Sequence, residues 1–221
     1  MIVSFKIKYM ENYSYKSTGI ALITGAILII FTMILHPPGG NIEHIIKISK
    51  SIRITHSLAI LSLPIILFGF YGLTIALLDK WKLSILAFII ISFGLIAAMF
   101  AALVNGLTLP HYLNQYATKT EENLEVLQPI INYGFALNIP LDYIFIVACC
   151  IAILVYSIII LAENKYPKWI GNLGIFITIF AIVGGGTDFV FTSLTGFRIF
   201  TFSIAAWILS IGLLLFKTKS R

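Results

Sequence analysis

Leu141–Leu161 reads LDYIFIVACCIAILVYSIIIL, and its 21 residues hold one ionisable carboxylate, Asp142, at the very start. The run is apolar on every face, so neither the period-2 alternation of a barrel strand nor the one-sided stripe of a soluble surface helix fits it. At about 1.5 Å of rise per residue, 20 such residues cross roughly 30 Å of hydrocarbon as a helix. Working outward, five further runs share this character: Thr18–His36, Ser57–Leu78, Leu83–Leu109, Trp169–Phe189 and Gly196–Phe216. The whole chain of 221 residues is 59% hydrophobic and 11% charged, with a mean hydropathy of +1.00. Soluble domains hold roughly 25% charged residues. The expectation is therefore an all-α, polytopic bundle of six membrane-spanning helices forming one integral membrane domain, residues 1–221, with the lipid bilayer as its partner.

Six crossings put both termini on one side. That side holds ten of the 15 cations (Lys6, Lys8, Lys16, Lys80, Lys82, Lys165, Lys168, Lys217, Lys219 and Arg221), and the other side holds five. Lys and Arg in short loops mark the cytoplasmic face, which predicts cytoplasmic N- and C-termini in a cell-membrane protein. Trp81, Tyr166 and Trp169 would form an aromatic belt at that boundary. The net charge of +6 follows from this topology and gives no reason to invoke nucleic acid. The segment before Thr18 is charged and aromatic, and the first span is long for a signal-peptide core, so it reads as a retained span. Cys149 and Cys150, adjacent in the fourth span, read as small apolar packers.

All four histidines fall on the outer side. His36 ends the first span in Leu35-His36-Pro37-Pro38-Gly39-Gly40, where two prolines and two glycines force a reversal. A C-terminal cap is its structural explanation. His56 opens the second span, and Pro64 and Gly69/Gly72 below it suggest a kink and close helix approach. The third span brings Asn105-Gly106 and, past Pro110, His111. Asn105 needs a partner at that depth, either another helix or a wet cavity. Asp142 lies just after Pro140, where an acid in a first helical turn would suit the dipole. Asp188 follows Gly184–Gly186, a run that breaks a helix or admits another backbone. Its natural ion partner is Arg198. Two outer segments, 41–55 and 121–138, read as interfacial: Asn41 caps the first, and the second covers the bundle mouth with Glu121, Glu122 and Glu125 at its edge. His44 reads as a solvated surface residue.

The motif Leu35-His36-Pro37-Pro38-Gly39-Gly40, with His56 opening the next span, resembles a family of bacterial six-helix integral membrane proteins that carries no assigned activity. The resemblance covers the first hairpin and the six-span layout, and it implies a bacterial inner-membrane setting. Intramembrane ceramidase-like hydrolases also gather His and Asp on one side, but their HxxxH spacing is missing. Phosphate-loop, dinucleotide-binding, HExxH, GxSxG and CxxC signatures are absent as well.

Two functions remain open. In the first, the protein is non-catalytic: a small-solute carrier, an accessory subunit or a membrane stress protein, with the polar groups serving as caps, anchors and ion pairs and a small-molecule ligand left open as a partner. In the second, His36, His56, His111 and Asp188 (or Asp142) hold a transition metal or haem at the outer mouth, with redox or hydrolytic activity. Convergence of the side chains decides between them. The prediction is that His36, His56 and His111 line one cavity beneath 121–138.

Overall fold

The computed structural model describes residues 2–78, 82–116, 126–163, 166–187 and 189–218, with side chains from residue 15 onward. It contains α1 (Ile2–Leu35), α2 (Ile42–Leu77), α3 (Leu83–Ala101), a π-helical segment (Ala102–Thr108), α4 (Leu109–Asn114), α5 (Gln128–Ala162), α6 (Lys168–Gly185) and α7 (Leu194–Lys217). Six of these stretches are long and apolar enough to cross a membrane, α3 to α4 counting as one. There is no strand among the described residues.

The glycines fix how neighbours run. A Cβ on Gly25 would meet Ile66, one on Gly69 would meet Leu22, and one on Gly72 would meet Thr18, so α1 and α2 are antiparallel and in close register. On the other flank of α1, a Cβ on Gly19 would stand 2.8 Å from the Gly212 carbonyl of α7. Small residues at such crossings let backbones approach where no hydrophobic drive separates helix from lipid. The same device joins α3 to α5 at Gly94/Ala148, and α5 to α6 at Gly174, whose missing side chain leaves room for Ser157 and Trp207. The six crossings close into a ring, α1–α2–α3–α5–α6–α7 and back to α1.

Inside the ring the half nearer the termini is filled by aromatics. Phe70, Tyr156 and Trp207 stack with centroids 5.8 to 6.5 Å apart and are all at most 1% exposed. Their polar ends are satisfied: Tyr156 Oη and Thr74 Oγ1 are 2.7 Å apart, and Trp207 Nε1 donates to the Ile170 carbonyl at 3.1 Å. Outward-facing side chains such as Phe93, Phe176 and Ile182 stay about two-thirds exposed, as lipid contact requires.

Two expected boundaries move. Segment 41–55 is not a separate interfacial helix but the start of α2, capped by Asn41 Oδ1 accepting from His44 N–H at 3.0 Å. Likewise 128–138 is the start of α5, which runs unbroken through Pro140, while 121–125 lies outside the described residues. At 36 and 35 residues, α2 and α5 reach about 50 Å each and overshoot a bilayer core of roughly 30 Å. Their overshooting ends pack with α4 into a second apolar cluster of Ile42, Ile45, Ile52, Leu109, Leu113, Leu127 and Ile131. Ser49 Oγ donates to Asn114 Oδ1 across it at 3.0 Å. The glycine run does end a helix, as expected, with α6 stopping at Gly185. Cys149 and Cys150 are buried free thiols.

Candidate functional site: a cavity at the far end of the ring

Between the aromatic stack and the end of the bundle opposite the termini, the ring encloses a cavity of about 330 Å³. Its walls are mainly apolar, with Ile66, Phe70, Leu95, Phe145 and Ile204 among them. Its polar lining includes Thr32 and His36 from α1 and its end, His56 and Ser62 from α2, Asn105 from the π segment, Asn138 and Asp142 from α5, Thr192 from the turn before α7, and Thr201 from α7.

His36 and His56 meet there, with ring centroids 4.8 Å apart and planes tilted by 58°. The hydrogen bonds around them fix their tautomers. His36 Nδ1 lies 2.9 Å from the Pro37 carbonyl, and His56 Nδ1 lies 2.8 Å from the Ile52 carbonyl. A carbonyl only accepts, so in each neutral ring Nδ1 carries the proton and Nε2 presents a lone pair. Neither Nε2 has a partner among the described residues, and neither is sealed off. Burial holds the His36 pKa below the usual histidine value; the Pro37 carbonyl opposes this, and the positive charge of Arg198 reinforces it.

The π segment makes room for His56. A Cβ on Gly106 would overlap the His56 ring. Leu109 N–H reaches back to the Val104 carbonyl, the wide i→i−5 register. Pro110 supplies a reason: an α-helix would require its missing N–H to bond Gly106 and would press its ring on that carbonyl. The adjacent Asn105 donates through Nδ2 to Asn138 Oδ1 at 2.9 Å, and Asn138 Nδ2 donates to Asp142 Oδ2 at 2.6 Å. With Asp142 as a carboxylate the chain has only this polarity, so Asn105 Oδ1 is left as an acceptor. That oxygen, Thr32 Oγ1 and Thr201 Oγ1 are buried without partners among the described residues. Thr32 and Thr201 are 3% and 4% exposed. Unmet polar atoms of this kind are uncommon in native interiors.

Several expectations need correcting. His111 sits on α4 with its side chain exposed and does not line the cavity. Asp142 is not in a first turn: α5 begins at Gln128, so Asp142 is mid-helix, and its hydrogen bond from Asn138 takes the place of a dipole cap. Asp188 lies outside the described residues, and with it the proposed pair to Arg198. Arg198 Nη2 donates to the His36 carbonyl at 2.6 Å, satisfying a carbonyl just past the end of α1 and tying α7 to the first reversal. Its Nε is buried without a partner among the described residues.

Among the described residues no group of three or more His, Cys, Asp and Glu side chains is arranged to hold a metal ion. The histidine pair does not suit a bis-imidazole haem either. Axial rings on opposite faces of one iron, each bonded at about 2.0 Å, stand farther apart than these centroids. Nothing in the sequence pointed to Thr32 or Thr201, since helix rotation decides which neutral polar residues face inward. The one available hint was Asn138, four residues before Asp142 and so on its face. No family model, curated protein or solved structure matches the chain.

Proposed function

We propose that the protein is a non-catalytic small-solute carrier or binding subunit of a bacterial inner membrane, with cytoplasmic termini and its cavity opening toward the outer side. The observation behind this reading is the cavity of about 330 Å³. Its apolar walls and few convergent polar groups are the usual make-up of a small-molecule site.

Catalysis is the weaker reading for a specific reason. Ser62 Oγ donates to the Ala59 carbonyl and Thr55 Oγ1 to the Ser51 and Ile52 carbonyls. Thr55 Oγ1 stands 3.5 Å from His56 Nδ1, but both atoms are already committed to the Ile52 carbonyl, and no other hydroxyl or thiol among the described residues bonds an imidazole, so the nucleophile–base contact of covalent catalysis has no free pair to make it. The orientation rests on the positive-inside bias.

The test is occupancy. Uncharged aromatic alcohols and ethers of two to three carbons beyond the ring, titrated into protein in a neutral detergent, should raise Tm by mass action. Ala98→Phe, which projects a ring into the cavity from α3, should remove the shift. A shift unchanged by Ala98→Phe would place binding elsewhere.

A further inference from the structure

We infer that the cavity's ligand is an uncharged apolar molecule ending in a hydroxyl group, received by the paired Nε2 atoms of His36 and His56. This rests on the binding reading above and names the chemical class that reading leaves open.

The argument is one of matching valences. The histidine pair offers two lone pairs and no proton, because both Nδ1–H groups are already given to the Pro37 and Ile52 carbonyls. Asn105 Oδ1, on the π segment beside the Gly106 recess that holds His56, is a further acceptor without a partner among the described residues, but it is sealed, so the two Nε2 atoms are the ones open to a ligand. A head group that only accepts, such as a carboxylate, phosphate or ether, finds nothing to bond on these three atoms. A donor is required, and the ammonium ion is the strongest. The Asp142 carboxyl in the α5 wall favours it, but at the histidine pair the Arg198 guanidinium stands against it, bonded to the His36 carbonyl and close enough to place positive potential on the His36 ring. A neutral hydroxyl meets both conditions. Its proton goes to an imidazole Nε2, and its oxygen, which gains electron density in that bond, lies in the field of Arg198. Thr32 and Thr201 stand in the same wall; their hydroxyls lack partners among the described residues but are sealed, and reach a ligand's oxygen only if the side chains turn about χ1. Below them the lining is apolar down to Phe70, which suits a hydrocarbon or aromatic tail.

Four probes on one scaffold separate the possibilities: 3-phenylpropanol, its methyl ether, 3-phenylpropylammonium and 3-phenylpropanoate. Calorimetric titration of the full chain in neutral detergent, corrected with protein-free micelles, reads affinity for each. The alcohol should bind about tenfold tighter than the ether, the size expected when a buried acceptor is otherwise left unpaired. The ammonium and carboxylate should be weaker than the alcohol. In His36→Leu/His56→Leu the alcohol should fall to the affinity of the ether, while ether binding persists and reports an intact cavity. Equal binding of alcohol and ether, tightest binding of either ion, or an alcohol preference that survives the double substitution would each overturn the inference while leaving the binding reading in place. No binding by any of the four would overturn both.

Discussion

His36 and His56 face each other at a centroid separation of 4.8 Å because Arg198 fastens the first from one side and Gly106 recesses the second from the other. Three helices and a reversal therefore converge on two rings. The proton of each ring is committed to a backbone carbonyl, so the pair is built to stay neutral and to accept.

The first prediction follows from that neutrality. The His36 pKa is held below the histidine value of 6.5, so in the window between the two pKa values the unfolded chain binds more protons than the folded one. Stability then rises with pH across that window, is fully present above about pH 6.5 and is lost as pH falls toward the folded pKa. Thermal unfolding in detergent between pH 5 and pH 8 should show Tm decreasing on the acid side. His36→Gln should flatten that acid limb, and an unchanged limb would assign the effect to another group.

Gly106 and Gly185 make a matched pair of tests. A Cβ on Gly106 would run into the His56 ring, whereas one on Gly185 meets nothing within 4 Å. Gly106→Ala should cost about 1–3 kcal/mol through overpacking, and Gly185→Ala should be within about 0.5 kcal/mol of neutral. Denaturation midpoints of the two variants check this. Equal costs would mean that His56 can rotate away freely.

Orientation is tested by thiol labelling in a Cys149→Ala/Cys150→Ala background. Lys50 is exposed on α2 at the cavity end, and Lys217 is exposed at the last turn of α7. An impermeant maleimide applied to intact cells should label Lys50→Cys and spare Lys217→Cys. The reverse pattern would turn the cavity toward the cytoplasm.

Metal content offers a further check. Two imidazoles fill only half of a tetrahedral zinc shell. Protein reconstituted with zinc and dialysed should retain well under one equivalent at pH 7.5, and His56→Ala should leave that residue of metal unchanged. Stoichiometric zinc lost in His56→Ala would restore the metal reading.

The six spans were legible in the sequence because a bilayer demands long apolar runs whatever their packing. Gly69 and Gly72 marked the second span for close helix approach, and the structure supplies α1 as the partner. Depth along the normal was legible too: His36 and His56 were expected on one side, and they meet. Azimuth was not. Nothing in a uniformly apolar helix says which way His111 or Thr201 points, and the first emerges exposed while the second is buried against the cavity. Continuity misled in the other direction. Polar residues in 41–55 and Pro140 in α5 suggested element ends, but helix–helix packing of Ile45, Ile52, Leu113 and Ile131 carries both helices past the apolar boundary.

The stacked rings of Phe70, Tyr156 and Trp207 turn the cavity into a blind alley. Three side chains of at most 1% exposure, two of them pinned by hydrogen bonds to neighbouring helices, stand across the route that protons would need to hop from one compartment to the other. A membrane holding many copies of this chain should therefore keep its electrochemical gradient. Any solute that traverses the protein must do so by a rocking of whole helices that unstacks those rings, a slow and saturable passage with none of the conductance of a pore.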